Sequence, residues 1–375
     1  MSIRLMHLAD LHLGVLFSYL GAKAEERSRD LESAFFRALE LAVDKNIHAV
    51  VIAGDLFDTF NPPTEIVSRV KAAFAKVSGF GIPIILIPGT HDSHRYARCV
   101  YARESFPGTD IVTEPGKPME KSLNGQTVSF YGYSGAGRNQ AAPSFRRSDG
   151  DGLHLALVHG SVAEGAHWTP SPRDFALSPK DIEDSGFHYV ALGHHHNFRQ
   201  MRYGATVAVY PGTLEGLKFG EDGDRHLVIA EVDKNGAAIE RIRHNRRTVS
   251  EIAIDLGRSG IRSADELTRA IAKYADSDTV ARIVLSGTAD FSLGREVIEA
   301  ELAERFFHLE IIDETSLCDS EMVRSVVNEN TIRGLFVRKL LKEIEESPAE
   351  DRPVAELALR LGLQQLMQEL AESGK

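Results

Sequence analysis

Carboxylate and imidazole side chains follow several apolar segments of this sequence, within a few residues of the point where each apolar run stops. In "VVIAGDLFD", a run typical of a strand buried on both faces ends at a glycine that Asp55 and Asp58 follow. A carboxylate at the end of a buried strand is costly unless something pairs with its charge. The segments "LADLH", "PGTHD", "LVHG" and "LGHHH" end in the same way. Together these segments supply Asp10, His12, Asp55, Asp58, His91, Asp92, His159 and His194–His196.

The elements that must position these side chains alternate between strand and helix. Segments such as "EERSRDLESAFFRALELAVDKN" have apolar residues at helical spacing, and this alternation predicts a layered α/β domain over residues 1–245. In such domains ligands bind beyond the carboxyl ends of the strands, where these side chains would converge. Residues two apart on an extended chain point the same way, which pairs Asp10 with His12 and His194 with His196. Apolar, β-branched runs predict strands at residues 3–8, 47–53, 82–87, 153–158, 187–192 and 206–210.

A second pattern begins after residue 245. Strand-like "SEIAIDL" and "TVARIVLSG" alternate with helix-like "SADELTRAIAKYA" and "GREVIEAELAERF", which predicts a small α+β domain over residues 246–315. Residues 316–375 have the apolar stripes of helices, interrupted by "ESPAEDRP". The sequence therefore predicts an α/β domain, a small α+β domain and a helical tail.

The composition is that of a globular protein rather than a membrane protein. No stretch approaches the roughly 20 apolar residues that cross a bilayer, and the cysteines, Cys99 and Cys318, allow neither a zinc finger nor a disulfide framework. Both observations predict a cytoplasmic protein.

The net charge of −11 argues against a protein that coats nucleic acid by bulk electrostatics. Residues 246–375 carry 17 Lys or Arg against 25 Asp or Glu, so most of the acidity lies outside the part that holds the carboxylate and imidazole clusters. Metal cations bound there would make the local field positive. The net charge by itself therefore does not exclude a nucleic-acid substrate.

The five clusters together indicate a binuclear metal centre. Each motif by itself is more often a turn or a helix cap than a metal site. Carboxylate oxygens suit hard divalent cations and imidazoles suit manganese, iron or zinc, whereas two cations about 4 Å apart need one bridging carboxylate. Asp55, on the most apolar strand, is the candidate for that bridge.

The order of these motifs along the chain is similar to that of a known enzyme family. Asp-x-His, Gly-Asp-x-x-Asp, Gly-x-His-Asp, His-Gly and Gly-His-x-His resemble the calcineurin-like metallophosphoesterase family over residues 1–245. "HLADLHLG", "GDLFD" and "YPGTLEGLKFGE" resemble its DNA double-strand-break repair exonuclease branch, of the bacterial SbcD type. The resemblance implies two β-sheets flanked by helices, a capping domain at 246–315, two divalent metal ions (manganese first; iron, zinc or magnesium as alternatives) and a DNA substrate. It also implies an SMC-like ATPase partner of the SbcC type, bound through the tail at 316–375, and a possible homodimer.

The resemblance implies a role for each motif residue. His91 would stabilise the transition state or help the leaving oxygen depart, oriented by Asp58, while Asp92 would support a ligand. The ions would lower the pKa of a bound water that attacks phosphorus in line. One ion would be held by Asp10, His12, Asp55 and His196. Asp55 would bridge to a second ion, held by His159 and His194.

Thr90 departs from the family pattern, which usually has Asn before the catalytic His. A hydroxyl is a shorter and weaker donor than an amide oxygen, so one interpretation is a weakened second metal site. The other is that the loop shifts and lets the Thr90 hydroxyl reach the metal.

His94 and Arg95, which follow this loop, are candidates for substrate contact. His195 is expected to be structural. Two other functions stay open beside a DNA nuclease. One is a small-molecule phosphodiesterase or phosphatase, although Thr59 stands where protein phosphatases have Arg. The other is a catalytically weakened metal-binding subunit of an ATPase complex.

Overall fold

The computed structural model describes residues 2–135, 144–163, 175–287, 289, 291, 293–315, 320–348 and 351–373. The chain divides into two compact units, Met1–Thr248 and Val249–Lys375. Among the described residues, no helix combines the length and the apolar character needed to cross a membrane.

The first unit is built on two β-sheets and four α-helices within the described residues. The strands are β1 (Ile3–Leu8), β2 (Ala49–Ala53), β3 (Ile84–Ile87), β4 (Thr109–Ile111), β5 (Met119–Leu123), β6 (Gln126–Ser134), β7 (Leu153–Val162), β8 (Phe175–Leu177), β9 (Tyr189–Gly193), β10 (Arg199–Tyr203), β11 (Thr206–Tyr210), β12 (His226–Asp233) and β13 (Gly236–Arg243). The helices are α1 (Ala24–Asp44), α2 (Thr64–Gly79), α3 (Val100–Arg103) and α4 (Pro179–Glu183).

The first sheet has the order β13-β12-β1-β2-β3-β4. Strands β1 to β4 are parallel, and β12 joins antiparallel to β1. Helices α1 and α2 cover one face because their apolar residues recur at helical spacing, so that Phe35, Leu39 and Phe74 are buried against Val50 and Ile52.

The second sheet has the order β10-β11-β9-β7-β6-β5, with β8 paired to β7. It packs face to face on the first sheet through a core that includes Val51 and Ile85 from one sheet and Leu155 and Val209 from the other. Its outer face carries a further core, which includes Ile182 of α4. The two sheets flanked by helices that the sequence predicts are confirmed.

The second unit holds a three-stranded sheet and the C-terminal helices. The sheet has the order β14 (Thr248–Asp255), β15 (Thr279–Ser286) and β16 (His308–Asp313). Ser263 caps the helix that begins at Ala264, since its hydroxyl accepts from the Glu266 amide at 3.2 Å. The helices are α5 (Leu256–Ser259), α6 (Ala264–Ala272), α7 (Arg295–Leu302), α8 (Ser320–Val327), α9 (Ile332–Glu346) and α10 (Arg352–Ser373).

Candidate metal centre

The carboxylate and imidazole side chains that the sequence singles out converge at one end of the two packed sheets. They come from the loops after β1, β2, β3 and β9 and from within β7. Ligand atoms within 4.8 Å of one another form three groups: Asp10, His12 and His196; Asp10, Asp55 and His159; and His12, Asp58 and His91.

Asp10 and His12 share a ligand group as predicted, but the backbone that brings them together is not extended as that prediction assumed. The φ angles of Asp10, His12, Asp55 and His194 are 52°, 44°, 50° and 100°. Residues other than glycine rarely adopt this left-handed conformation, and it persists only where the surroundings enforce it. Here the loops after β1 and β2 bond to each other, since the Asp10 amide donates to Gly54 O (3.1 Å) and the His12 amide to Asp55 O (3.0 Å).

Two glycines of the motifs let these loops approach closely. A Cβ at Gly89 would lie 2.1 Å from Asp55 Oδ1, and one at Gly54 would lie 2.2 Å from His159 Nδ1. Side-chain atoms do not tolerate such distances, so these positions require glycine for close packing.

Asp55 occupies the middle of the cluster. Its Oδ2 lies 3.2 Å from His159 Nε2, without the geometry of a hydrogen bond, and 3.8 Å from His12 Nε2. Its Oδ1 accepts from the His91 amide at 2.8 Å, and the Thr90 hydroxyl donates to Oδ2 at 3.3 Å. Asp55 thus has an oxygen between two imidazoles, where a bridging ligand would stand.

Three of the imidazoles that are candidate metal ligands are oriented by oxygen acceptors at Nδ1. An oxygen acceptor fixes the proton on Nδ1, so Nε2 presents a lone pair when the ring is neutral. The acceptors are Asp58 Oδ1 for His12 (3.1 Å), Ala53 O for His159 (2.9 Å) and Glu221 Oε1 for His196 (2.6 Å).

The Nε2 atoms of His12 and His159 are buried and have no hydrogen-bond partner among the described residues. Buried polar atoms normally have partners, and a divalent cation would satisfy both. The residues present therefore fit a binuclear metal centre, because oxygen and imidazole nitrogen are the ligands that manganese, iron and zinc accept.

The charges of the cluster favour the same interpretation. Burial alone would raise the pKa of Asp55, but His159, His12 and His91 outweigh it and hold that pKa below its usual range. Burial alone would lower the pKa of His159, but Asp55 and Asp10 outweigh it and raise that pKa to about 10. The buried carboxylates thus draw positive charge to the centre, which bound cations would supply with the imidazoles neutral.

Asp58 contacts both neighbouring imidazoles, through different groups. Its carboxylate accepts from His12, whereas its backbone carbonyl accepts from His91 Nδ1 at 2.9 Å. The Asp58 carboxylate lies 3.7 Å from His91 Nδ1. The His91 side chain is 49% exposed, so that it lies at the rim of the cluster.

Asp92 connects the loops after β2 and β3. It is fully buried and accepts from the Gly89 amide (2.7 Å), the Phe57 amide (3.2 Å) and the Tyr101 hydroxyl. Burial, and then the charge of Asp55, raise the pKa of Asp92 to about 6. This carboxylate therefore holds the loops in place and lies outside the three ligand groups.

The remaining candidates lie around these groups. The His194 amide donates to both carboxylate oxygens of Asp10 (2.9 and 3.0 Å), and its ring centroid is 5.3 Å from that of His159. His195 is exposed and packs edge-on against Tyr210. The structure does not bring the last two candidates into a ligand group: His94 is half-buried, and the exposed Arg95 donates to Gly135 O.

Glu221 was not anticipated as a site residue. Its carboxylate is 3% exposed, accepts from His196 and also accepts from the Leu217 amide at 2.8 Å. Burial would raise its pKa, but the hydrogen bond and charge of His196, the Leu217 amide and the charge of Arg225 together outweigh burial, so the pKa is lowered and the group is ionised. The only feature of the sequence that pointed to Glu221 was its position at the end of "YPGTLEGLKFGE". That position does not predict that the chain folds back onto His196.

The family model for calcineurin-like phosphoesterases matches residues 3–198, more than half of the chain, and the chain belongs to this family. The protein is thus a metal-dependent phosphoesterase, and the family resemblance in its motifs is confirmed.

Among its relatives, the uncharacterized metallophosphoesterase YhaO of Bacillus subtilis is 27% identical over 76% of this chain and 72% of that protein. The DNA double-strand break repair protein Mre11 of Aeropyrum pernix is 29% identical over 68% of this chain but only 64% of its own length, less than two thirds. Mre11 of Sulfurisphaera tokodaii is 23% identical over 95% of this chain and 93% of its own length. This similarity agrees with the DNA-repair branch that the motifs resemble.

Proposed function

We propose that this protein is a two-metal phosphodiesterase that cleaves DNA, as an exonuclease or endonuclease in DNA repair. The observation that carries the proposal is the position of Asp55 Oδ2 between the Nε2 atoms of His159 and His12, at 3.2 and 3.8 Å. One carboxylate between two sets of ligands is what a pair of divalent ions about 4 Å apart requires. The similarity to Mre11 proteins supports DNA as the substrate.

The proposal assigns each candidate ligand to one of two ions, manganese in the first instance and iron, zinc or magnesium as alternatives. When bound, such ions activate water and neutralise charge on the phosphate. Thr90 would lie beside the second ion, because its hydroxyl donates to Asp55. The first ion would be held by Asp10, His12, Asp55 and His196, and the second by Asp55, His159 and His194.

His91 is the group we assign to the leaving oxygen. Its half-exposed ring is fixed by the Nδ1 bond to Asp58 O, and its own amide bonds to Asp55. Ring and amide are therefore held relative to the central carboxylate, which positions the imidazole to hydrogen-bond a departing oxygen. Asp58 acts as a positioning residue for His91 through its carbonyl, and for His12 through its carboxylate.

The first test is release of nucleotides from linear DNA duplexes with manganese supplied. We expect cleavage that Asp55→Ala abolishes while the variant stays folded by circular dichroism. Hydrolysis of bis(p-nitrophenyl) phosphate without DNA cleavage would move the substrate to small molecules. Failure to hydrolyse either, with manganese shown to bind, would favour a metal-binding subunit instead.

We also propose that the tail at residues 316–375 binds an SMC-like ATPase of the SbcC type, and that residues 246–315 form a capping domain. Helices α9 and α10 bury Val337 and Leu359 between them, yet Ile332 and Val354 are 80% and 69% exposed. Exposed apolar side chains on a helix pair suit a protein partner. Co-purification with the ATPase should be lost on Ile332→Asp, and sedimentation of the purified chain tests the possible homodimer.

A further inference from the structure

Two aromatic rings lie stacked on each other at the protein surface. Phe60 and Tyr96 have ring centroids 4.4 Å apart and planes inclined by 28°, and they are 37% and 50% exposed. The pair, here called the aromatic platform, leaves part of each ring in contact with water. Such exposed area often marks a binding site.

The platform is attached to the two loops that carry the proposed catalytic groups. Phe60 is two residues past Asp58, and Tyr96 is five residues past His91. The segments are joined by hydrogen bonds to main-chain carbonyls, since the Val100 amide donates to Phe60 O at 2.8 Å and the His91 ring donates through Nδ1 to Asp58 O. The rings are therefore held in a fixed relation to the rim of the metal centre.

Three arginines lie close to the platform residues along the sequence, in a chain that is acidic overall. Arg95 and Arg98 flank Tyr96 in the sequence, and both are exposed. Within the described part of the chain, Arg98 makes no hydrogen bond or ion pair. Arg103 donates to Asn61 Oδ1 beside Phe60 at 2.5 Å. The one carboxylate in residues 91–103, that of Asp92, is fully buried and faces away from water.

We propose that the aromatic platform stacks against an unpaired nucleobase next to the scissile bond, with Arg98 contacting a backbone phosphate. Exposed rings interleaved with arginines are the combination that binds single-stranded nucleic acid, because every base offers a π-face and every nucleotide a negative charge. In a duplex the base faces are covered by their neighbours. The bound strand is therefore single-stranded or frayed at this point.

This inference rests on the proposed nuclease function and adds the form of the substrate to it. A second protein chain fits the platform less well, because two rings flanked by solvated arginines are small beside the roughly 800 Å² per partner of a stable interface.

The test uses the full-length protein and single-stranded oligonucleotides with phosphorothioate linkages, so that hydrolysis does not deplete them. Tyr96→Ala should weaken their binding by about 5- to 100-fold, and Tyr96→Phe should restore it because the ring is kept. Phe80→Ala removes a ring that is 61% exposed outside both loops and serves as the matched control, with unchanged affinity expected.

An abasic site scanned along the oligonucleotide identifies the stacked base. An abasic site at one position should weaken binding to the wild type about as much as Tyr96→Ala does. The same abasic site should leave binding to Tyr96→Ala unaffected, since the partner ring is already absent. Equal abasic effects in both proteins would overturn the inference, as would a change of oligomeric state in Tyr96→Ala. If the wild type neither binds nor cleaves DNA, the nuclease function itself is overturned. If the wild type cleaves DNA but Tyr96→Ala binds it as tightly as Phe80→Ala does, only the role of the platform is overturned.

Discussion

Glu221 is expected to set the affinity of the metal ion that His196 would hold. One of its oxygens accepts from His196 Nδ1 at 2.6 Å and the other from the Leu217 amide at 2.8 Å. Glu221→Gln keeps the size of the side chain but replaces one acceptor with an NH₂ donor. The new side chain cannot accept from both groups, so either the imidazole or the Leu217 amide loses its partner.

The expected loss follows from the part that such outer hydrogen bonds take in metal binding. Removing an acceptor from a metal-ligating histidine typically lowers metal affinity about 10- to 100-fold, or roughly 1.4–2.8 kcal/mol. Only one of the two ions should be affected, because His159 bonds to Ala53 O and not to Glu221.

Manganese titration followed by electron paramagnetic resonance measures both sites without relying on turnover. Glu114→Gln is the matched control, since it makes the same substitution at a carboxylate that is 72% exposed. A Glu221→Gln protein that melts at a lower temperature but binds two manganese ions like the control would show a merely structural role. That result would refute the reasoning.

Three further predictions concern a glycine, the unusual threonine and a buried histidine. Gly89→Ala should abolish manganese binding because its Cβ would lie 2.1 Å from Asp55 Oδ1, whereas Gly79→Ala, with no atom within 4 Å, should bind normally; metal titration of both decides. Thr90→Asn should tighten the second manganese site and speed hydrolysis of bis(p-nitrophenyl) phosphate, because an amide oxygen reaches further than the hydroxyl now bonded to Asp55. Unchanged affinity and turnover would show that Thr90 is a tolerated variation. Burial lowers the pKa of His7 to about 3, below its ordinary value of 6.5. The unfolded state then binds more protons between these values, so the stability present above pH 6.5 falls as the pH drops towards 3, by about 1.4 kcal/mol per unit. Urea unfolding between pH 4 and 7 should show that the free energy of unfolding depends less steeply on pH in His7→Phe than in the wild type. Equal slopes for the two proteins would contradict a lowered pKa of His7.

Several strands of the fold were missed because they lack a continuous apolar run. Strands β5 and β6 form a hairpin through Asn124 and Gly125, both with positive φ, and this pair is a strong turn signal in the sequence. The polar residues on either side of the turn hid it. Strand β13 was missed for a similar reason, since its buried residues alternate with exposed ones at the sheet edge. Strand β12 was missed although residues 227–230 form a continuous apolar run.

The sequence by itself determined the class of the protein. A pair of divalent ions demands carboxylates and imidazoles, which the chain supplies at the ends of apolar strands in one order, so Asp10, His12, Asp55, His159 and His196 could be selected before any coordinates. Gly54 and Gly89 stand in the same short motifs, but the side chains that exclude a Cβ there, His159 and Asp55, come from other segments of the chain.

Only the tertiary structure decided how these groups act on one another. The His194 amide reaches Asp10 across 184 positions of the chain, and Glu221 returns to His196 across 25. The structure also showed that Asp58 meets His91 through its carbonyl, and that Phe60 and Tyr96 stack. Such pairings arise from the packing of two sheets and from the left-handed backbone of their loops, and the residue types in a single motif do not encode either.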